Sequence, residues 1–113
     1  MSITLIEPHG GRLVNLLADS SDFSALKDES NEYPSWTLTD RQICDLELLL
    51  NGAFSPLDGF MTQEDYESVL ESMRLIDGTL WPIPITLDVS DQFAEEIKGR
   101  EKITLRDKEG FAL

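Results

Sequence analysis

The most strand-like run of the chain, Trp81-Pro82-Ile83-Pro84-Ile85-Thr86-Leu87-Asp88-Val89, is interrupted by two prolines. Neither can donate a ladder hydrogen bond, so the first half of the run is confined to an edge or a bend and only the second half can pair fully. Just upstream, Arg74-Leu75-Ile76 and Thr79-Leu80-Trp81 flank Asp77-Gly78, a dipeptide suited to a tight hairpin turn, and strand pairing is expected to begin there. Downstream, Lys102-Ile103-Thr104-Leu105-Arg106 alternates like a half-buried strand, and Asp107-Lys108-Glu109-Gly110 turns the chain. Only Phe111-Ala112-Leu113 remain beyond that turn, three residues to pair with five, so the pattern reads as a hairpin cut short and the 113 residues as the front part of something longer.

Helical signals lie between and before these segments. After the flexible turn Pro8-His9-Gly10-Gly11, the spacing of Leu13, Val14, Leu16 and Leu17 predicts a short first helix. Residues 19–34 are polar, acidic and serine-rich, and read as a loop or a partly mobile segment. Ser35-Trp36-Thr37-Leu38 has the composition of a short strand. Thr39 and Gln42 then form a capping box, each able to satisfy an otherwise orphaned backbone N–H. A helix is expected from Asp40, with Ile43, Leu46, Leu49 and Leu50 inward, Cys44 beside that stripe and Asn51-Gly52 as its stop. Thr62, with Asp65 three residues on, caps a second amphipathic helix whose buried stripe would be Tyr66, Val69, Leu70 and Met73. Ser90 caps a short helix that runs through Ile97 and stops at Gly99.

A chain of 113 residues with 41% apolar content supports one core and excludes a complete two-domain enzyme. Its net charge of −13 disfavours partners that present a phosphate backbone or anionic lipid. The imbalance is uneven: residues 1–97 carry only Arg12, Lys27, Arg41 and Arg74 as cations, whereas Lys98, Arg100, Lys102, Arg106 and Lys108 crowd the C-terminal stretch, read here as a solvated strand pair. A single cysteine excludes an internal disulfide and fits a reducing compartment. With no basic leader and no membrane-length apolar run, the expected location is cytoplasmic.

A search for chemistry assembles no active site. The close acid pairs, Asp45 with Glu47, Glu64 with Asp65 and Glu95 with Glu96, fall where helix surfaces and caps place them. His9 is the only histidine, so no two-imidazole metal site can form, and His9-Gly10-Gly11 is read as a flexible turn because no Gly-x-Ser-x-Gly elbow accompanies it. Cys44 is read as packing. The glycines match neither the dinucleotide nor the Walker spacing. No catalytic, cofactor-binding or metal-ligating residue is assigned.

One stretch is more specific. Asn51-Gly52-Ala53-Phe54-Ser55-Pro56-Leu57-Asp58-Gly59-Phe60-Met61, preceded by Arg41-Gln42-Ile43-Cys44-Asp45-Leu46-Glu47 and followed by Asp65-Tyr66, Met73-Arg74-Leu75 and the run from Asp77 to Val89, closely resembles the N-terminal domain of ATP sulfurylase (sulfate adenylyltransferase). His9-Gly10-Gly11 with Leu13-Val14, and Leu105-Arg106-Asp107-x-Glu109-Gly110, extend the match over nearly the whole chain; Ala53 stands where that family more often has glycine. The resemblance implies an α+β, PUA-like fold: a small β-barrel or sheet with peripheral helices, incomplete at its C-terminal end. It makes residues 1–113 a partial N-terminal domain, with the catalytic nucleotidyltransferase domain absent.

The whole enzyme would transfer an adenylyl group from ATP to sulfate with Mg²⁺, giving adenosine 5′-phosphosulfate and pyrophosphate. That family uses a Gln-x-Arg-Asn-Pro loop and a His-x-Gly-His motif in its second domain, and neither is present here. The resemblance therefore implies a segment inactive by itself and without cofactors of its own, with the catalytic domain of the same enzyme as partner and a homo-oligomer as a further expectation. Phe54, Pro56, Leu57, Phe60 and Met61 form an apolar, glycine-bracketed loop that either seals its own core or docks on a neighbour, and they are the candidate interface residues. The alternative is a free-standing PUA-like interaction or scaffold module without catalysis. RNA binding is disfavoured by the charge.

Overall fold

A computed structural model of the chain describes residues 6–113. In chain order its regular elements are α1 (Phe23–Ser30), β1 (Ser35–Thr37), α2 (Asp40–Leu50), α3 (Gln63–Ser72), α4 (Asp91–Glu96) and β2 (Thr104–Arg106), with single 3-10 turns at His9–Gly11 and Ser20–Asp22. Two compact units share the chain, one combining the residues up to Leu17 with Asp45–Leu87, the other Ala18–Cys44 with Asp88–Leu113.

In the first unit, Leu49, Leu57, Val69, Leu75, Trp81 and Ile85 form the apolar cluster. α3 starts as its cap predicts, with Thr62 Oγ1 accepting from the Asp65 N–H at 3.2 Å. Of its expected stripe only Val69 is buried; Tyr66, Leu70 and Met73 are exposed. The Asp77-Gly78 turn is present as an Arg74–Leu80 antiparallel bridge, closed by Leu75 N–H to Thr79 O at 2.9 Å. The following run forms no strand: from Trp81 to Val89 it is extended and irregular, held by Met61 N–H to Ile85 O at 2.8 Å. Pro82 and Pro84 offer no donor in its first half, where Trp81 N–H reaches Met73 O at 2.8 Å, and the expected pairing of its second half is not observed. The first helix expected over Leu13–Leu17 is also absent. Tertiary acceptors take its donors, Val14 N–H bonding Ser55 Oγ at 2.8 Å and Leu16 N–H bonding Leu50 O at 3.0 Å, and so short a helix has little stability of its own.

In the second unit, β1 and β2 pair in parallel, Ser35 opposite Thr104, Trp36 opposite Leu105 and Thr37 opposite Arg106. The return segment also pairs, through an antiparallel Arg106–Ala112 bridge and Leu113 N–H to Leu105 O at 2.9 Å. The α+β class is therefore observed. Among the described residues the sheet is two-stranded and closes no barrel. β2's buried residue is Thr104, not an aliphatic one, because its hydroxyl donates to Ser30 O at 2.6 Å. The capping box is reciprocal, with Gln42 N–H to Thr39 Oγ1 at 3.2 Å and Thr39 N–H to Gln42 Oε1 at 3.0 Å. On α2, Gln42, Leu46 and Leu49 are buried. Cys44 lies about 200° around the helix from Gln42 and is exposed, which corrects its reading as a packing residue.

The segment read as a loop contains α1, and this too is a correction. α1 buries none of its eight residues, so no apolar periodicity announces it. Polar ties hold its last turn and the residues as far as Tyr33. Glu29 Oε1 accepts from Tyr33 Oη at 2.5 Å and from Lys102 Nζ at 3.3 Å, and Arg106 Nη2 donates to Asn31 Oδ1 at 3.2 Å. Among the described residues, four of the five C-terminal cations thus have partners, with Lys98 pairing with Glu95 and Lys108 with Asp40 on the surface.

Glu29's carboxyl is held below its ordinary range, first by the Tyr33 hydroxyl and then by Lys102. A depressed carboxyl favours the folded form above its unfolded pKa, and that support is lost as pH falls through the folded value. Protection of the Phe23–Ser30 amides, taken relative to the intrinsic exchange rate at each pH, is therefore expected to fall below about pH 4.5, the carboxyl's ordinary value, before β1 and β2 lose protection. Lys102→Gln makes this loss smaller, because the Glu29 carboxyl is then less depressed. Coincident loss in all elements would contradict the clasp.

Candidate functional site

The glycine-bracketed loop is built between the C-terminus of α2 and the cap of α3. Gly52 ends α2 with φ of +87°, and a Cβ there would stand 3.0 Å from both Leu13 Cδ1 and Val14 O. The backbone needs glycine for the left-handed stop and for this close approach. Ser55 is buried and works in both directions, its Oγ donating to Gly52 O at 2.6 Å while accepting from Val14 N–H. The loop is tightened further by Phe54 N–H to Leu48 O at 3.1 Å and Leu57 N–H to Phe54 O at 2.9 Å.

Leu57 is 6% exposed and belongs to the core cluster, against which Phe54, Phe60 and Met61 pack partly buried. Phe54 meets Trp81 edge-to-face at 5.8 Å between ring centroids. Met61 holds the extended run twice, through its backbone N–H and through Sδ, 3.5 Å from the Ile85 N–H. Pro56 is half-buried, with Arg12 Nη2 3.4 Å from its carbonyl oxygen. Of the five candidate residues, Leu57 lies in the core cluster, Phe54, Phe60 and Met61 pack against it, and Pro56 meets Gly10 instead.

His9-Gly10-Gly11 is not the flexible turn that composition predicts. His9 Nε2 donates to Leu80 O at 2.6 Å, and its ring lies 5.8 Å from that of Trp81. Gly10, at φ +73°, lies so close to Pro56 that a Cβ would meet the ring Cγ at 2.7 Å. The N-terminal turn is therefore a clamp over the loop and over the run beyond the hairpin. Nearby, Asp77 accepts from the Thr79 N–H at 2.9 Å, which together with the Arg12 charge lowers its carboxyl pKa.

Sequence reasoning also missed Gln42 as more than a cap. Its side chain is 1% exposed, and Oε1 accepts a second bond from Trp36 Nε1 at 3.1 Å while Nε2 donates to Asp88 O at 2.7 Å. Trp36 in turn meets Phe93 in a tilted contact, 5.1 Å between ring centroids. The signal for this hub lies 46 residues away in sequence, which no local pattern reveals.

As chemistry, the loop is a rigid apolar support. Among the described residues no group of three or more His, Cys, Asp or Glu side chains is placed to hold a metal ion, and no helix is long and apolar enough to cross a membrane.

Comparison with known proteins adds a family and a set of relatives. A PUA-like domain family matches residues 6–113. The chain is 51% identical over 109 residues to a sulfate adenylyltransferase of Kluyveromyces lactis, covering 94% of this chain and 22% of that protein. It is 52% identical over 101 residues to a sulfate adenylyltransferase of Saccharomyces cerevisiae, covering 87% of this chain and 20% of that protein. Among solved structures it is similar to a hexameric APS kinase from Thiobacillus denitrificans, with a TM-score of 0.80 and 45% identity over 96% of this chain and 22% of that one. The chain thus spans about a fifth of the length of the relatives it matches.

Proposed function

This chain belongs to the PUA-like domain family, and we propose that it is the N-terminal, non-catalytic scaffold of a sulfate adenylyltransferase. The observation that carries the proposal is identity near one half, confined to about a fifth of each relative. The whole protein joins ATP and sulfate to give adenosine 5′-phosphosulfate and pyrophosphate, with Mg²⁺, and does so in the cytoplasm as an oligomer. The hexameric state of the structural neighbour supports the last point. Residues 1–113 form part of the domain, strands beyond them complete a small barrel, and the catalytic domain of the same polypeptide is the partner. Catalysis of this kind rests on aligning phosphates and stabilising developing charge, and the scaffold contributes by holding the catalytic part in place.

The test replaces the matched region of the Saccharomyces cerevisiae protein with this chain. Pyrophosphate release from ATP in the presence of sulfate is expected from the swapped protein and not from the 113-residue chain alone. Activity of the isolated chain, or a folded swapped protein without activity, overturns the proposal. The second outcome is the one a free-standing interaction module predicts.

A further inference from the structure

The loop whose composition suggested docking faces its own core, while α3 leaves most of its apolar stripe in solvent. Tyr66, Leu70 and Met73 follow one another at i, i+4 and i+7 along a single face, and Leu70 and Met73 are 60% and 55% exposed. Met73 is unusual for a second reason. It terminates α3 in the left-handed region, at φ 56° and ψ 35°, where glycine or asparagine is favoured and a long apolar side chain is not. Its backbone caps the helix, with Met73 N–H to Val69 O and Trp81 N–H to Met73 O each at 2.8 Å, while its thioether side chain packs on no core residue and stays in solvent.

The charges around the stripe select among possible occupants. Glu64, Glu67 and Glu71 are exposed on the adjoining flank of α3, with Glu67 held by Gln63 Nε2 at 3.1 Å. A second copy facing this patch across a two-fold axis would set acid against acid, and each chain already carries a net charge of −13. A surface with an apolar centre and a Lys/Arg rim is complementary in both respects. The relatives extend over about five times the length matched here, so the polypeptide beyond the matched region is large enough to supply such a surface.

We infer that the Tyr66–Leu70–Met73 face of α3 is where this chain docks on the remainder of its own polypeptide, through an apolar contact rimmed by basic residues of that remainder. The inference rests on the scaffold reading above and names the surface through which scaffolding acts. The interface is on α3, and the residues from Phe54 to Met61 support it from inside.

Methionine oxidation reads this face directly, because hydrogen peroxide converts an accessible thioether to the sulfoxide. Met73 is followed by mass spectrometry in the isolated chain and in the Saccharomyces cerevisiae protein carrying this chain in place of its matched region, with half-buried Met61 as the internal reference. The expected result is Met73 oxidation at least tenfold slower in the swapped protein, unchanged at Met61, with Leu70→Lys restoring the fast rate. Equal Met73 rates in the two proteins overturn the inference. Protection of the isolated chain that grows with its concentration also overturns it, since a second copy is then the occupant. Adenylyl transfer by the swapped protein is assayed on the same sample. Activity with a reactive Met73 rejects the docking face and leaves the scaffold reading intact, whereas a folded but inactive protein rejects that reading itself.

Discussion

Gln42→Leu is expected to destabilise the chain by about 3 kcal/mol, because leucine fills the space but meets none of the partners. The substitution removes the acceptor of both the Thr39 N–H and the Trp36 indole N–H, and with it the amide donor to the Asp88 carbonyl. A buried group left without its partner costs about 1–3 kcal/mol, and solvent that reaches Trp36 and Asp88 recovers part of the sum. Urea titration monitored by tryptophan fluorescence measures the change, with Trp36 itself reporting. A loss below about 1 kcal/mol would mean that the hub is solvated and that the capping box alone describes Gln42.

The second large effect separates support from contact within the apolar residues. Leu57→Ala removes a core side chain and is expected to cost about 3 kcal/mol through lost transfer energy and the cavity left among Leu49, Val69, Trp81 and Ile85. Leu70→Lys, on the exposed face of α3, should change the stability of the isolated chain by no more than about 0.5 kcal/mol. The contrast is diagnostic. Comparable losses at the two positions would show that the face of α3 is packed and that the loop carries no special share of the core.

Short-range chemistry is the part of this structure that is legible in the sequence. Thr39 with Gln42, Thr62 with Asp65, and Ser90 with Phe93 are local hydrogen-bonding pairs, and all three open helices where expected. Asn51-Gly52 stops α2 for a backbone reason contained in the dipeptide itself. The failures have the opposite character. The parallel pairing of Ser35–Thr37 with Thr104–Arg106 joins segments far apart in the chain, and its register depends on Pro34 and Leu38 as well. α1 is invisible to periodicity because polar ties at its C-terminal end hold it, and no apolar stripe does. Leu13–Leu17 shows helical spacing, yet its donors are spent on Ser55 and Leu50.

The candidate loop divides in the same way. Its apolar composition was legible, but the direction its side chains face depends on where Trp81, Ile85 and the His9-Gly10 clamp sit, and those contacts are long-range. Met73 illustrates the converse. Counted by spacing it belongs to a buried stripe, yet of that stripe only Val69 is buried, and Met73 lies outside with Tyr66 and Leu70. A pattern tells which residues share a face; it does not tell what covers that face.

The most direct test of the scaffold assignment is the rate of sulfate-dependent pyrophosphate release by the Saccharomyces cerevisiae sulfate adenylyltransferase carrying this chain in place of its matched fifth. A scaffold that positions the catalytic part and touches no reacting atom predicts a rate within about tenfold of the unmodified enzyme, and tenfold corresponds to roughly 1.4 kcal/mol of misplacement. A folded protein with no measurable release would contradict it.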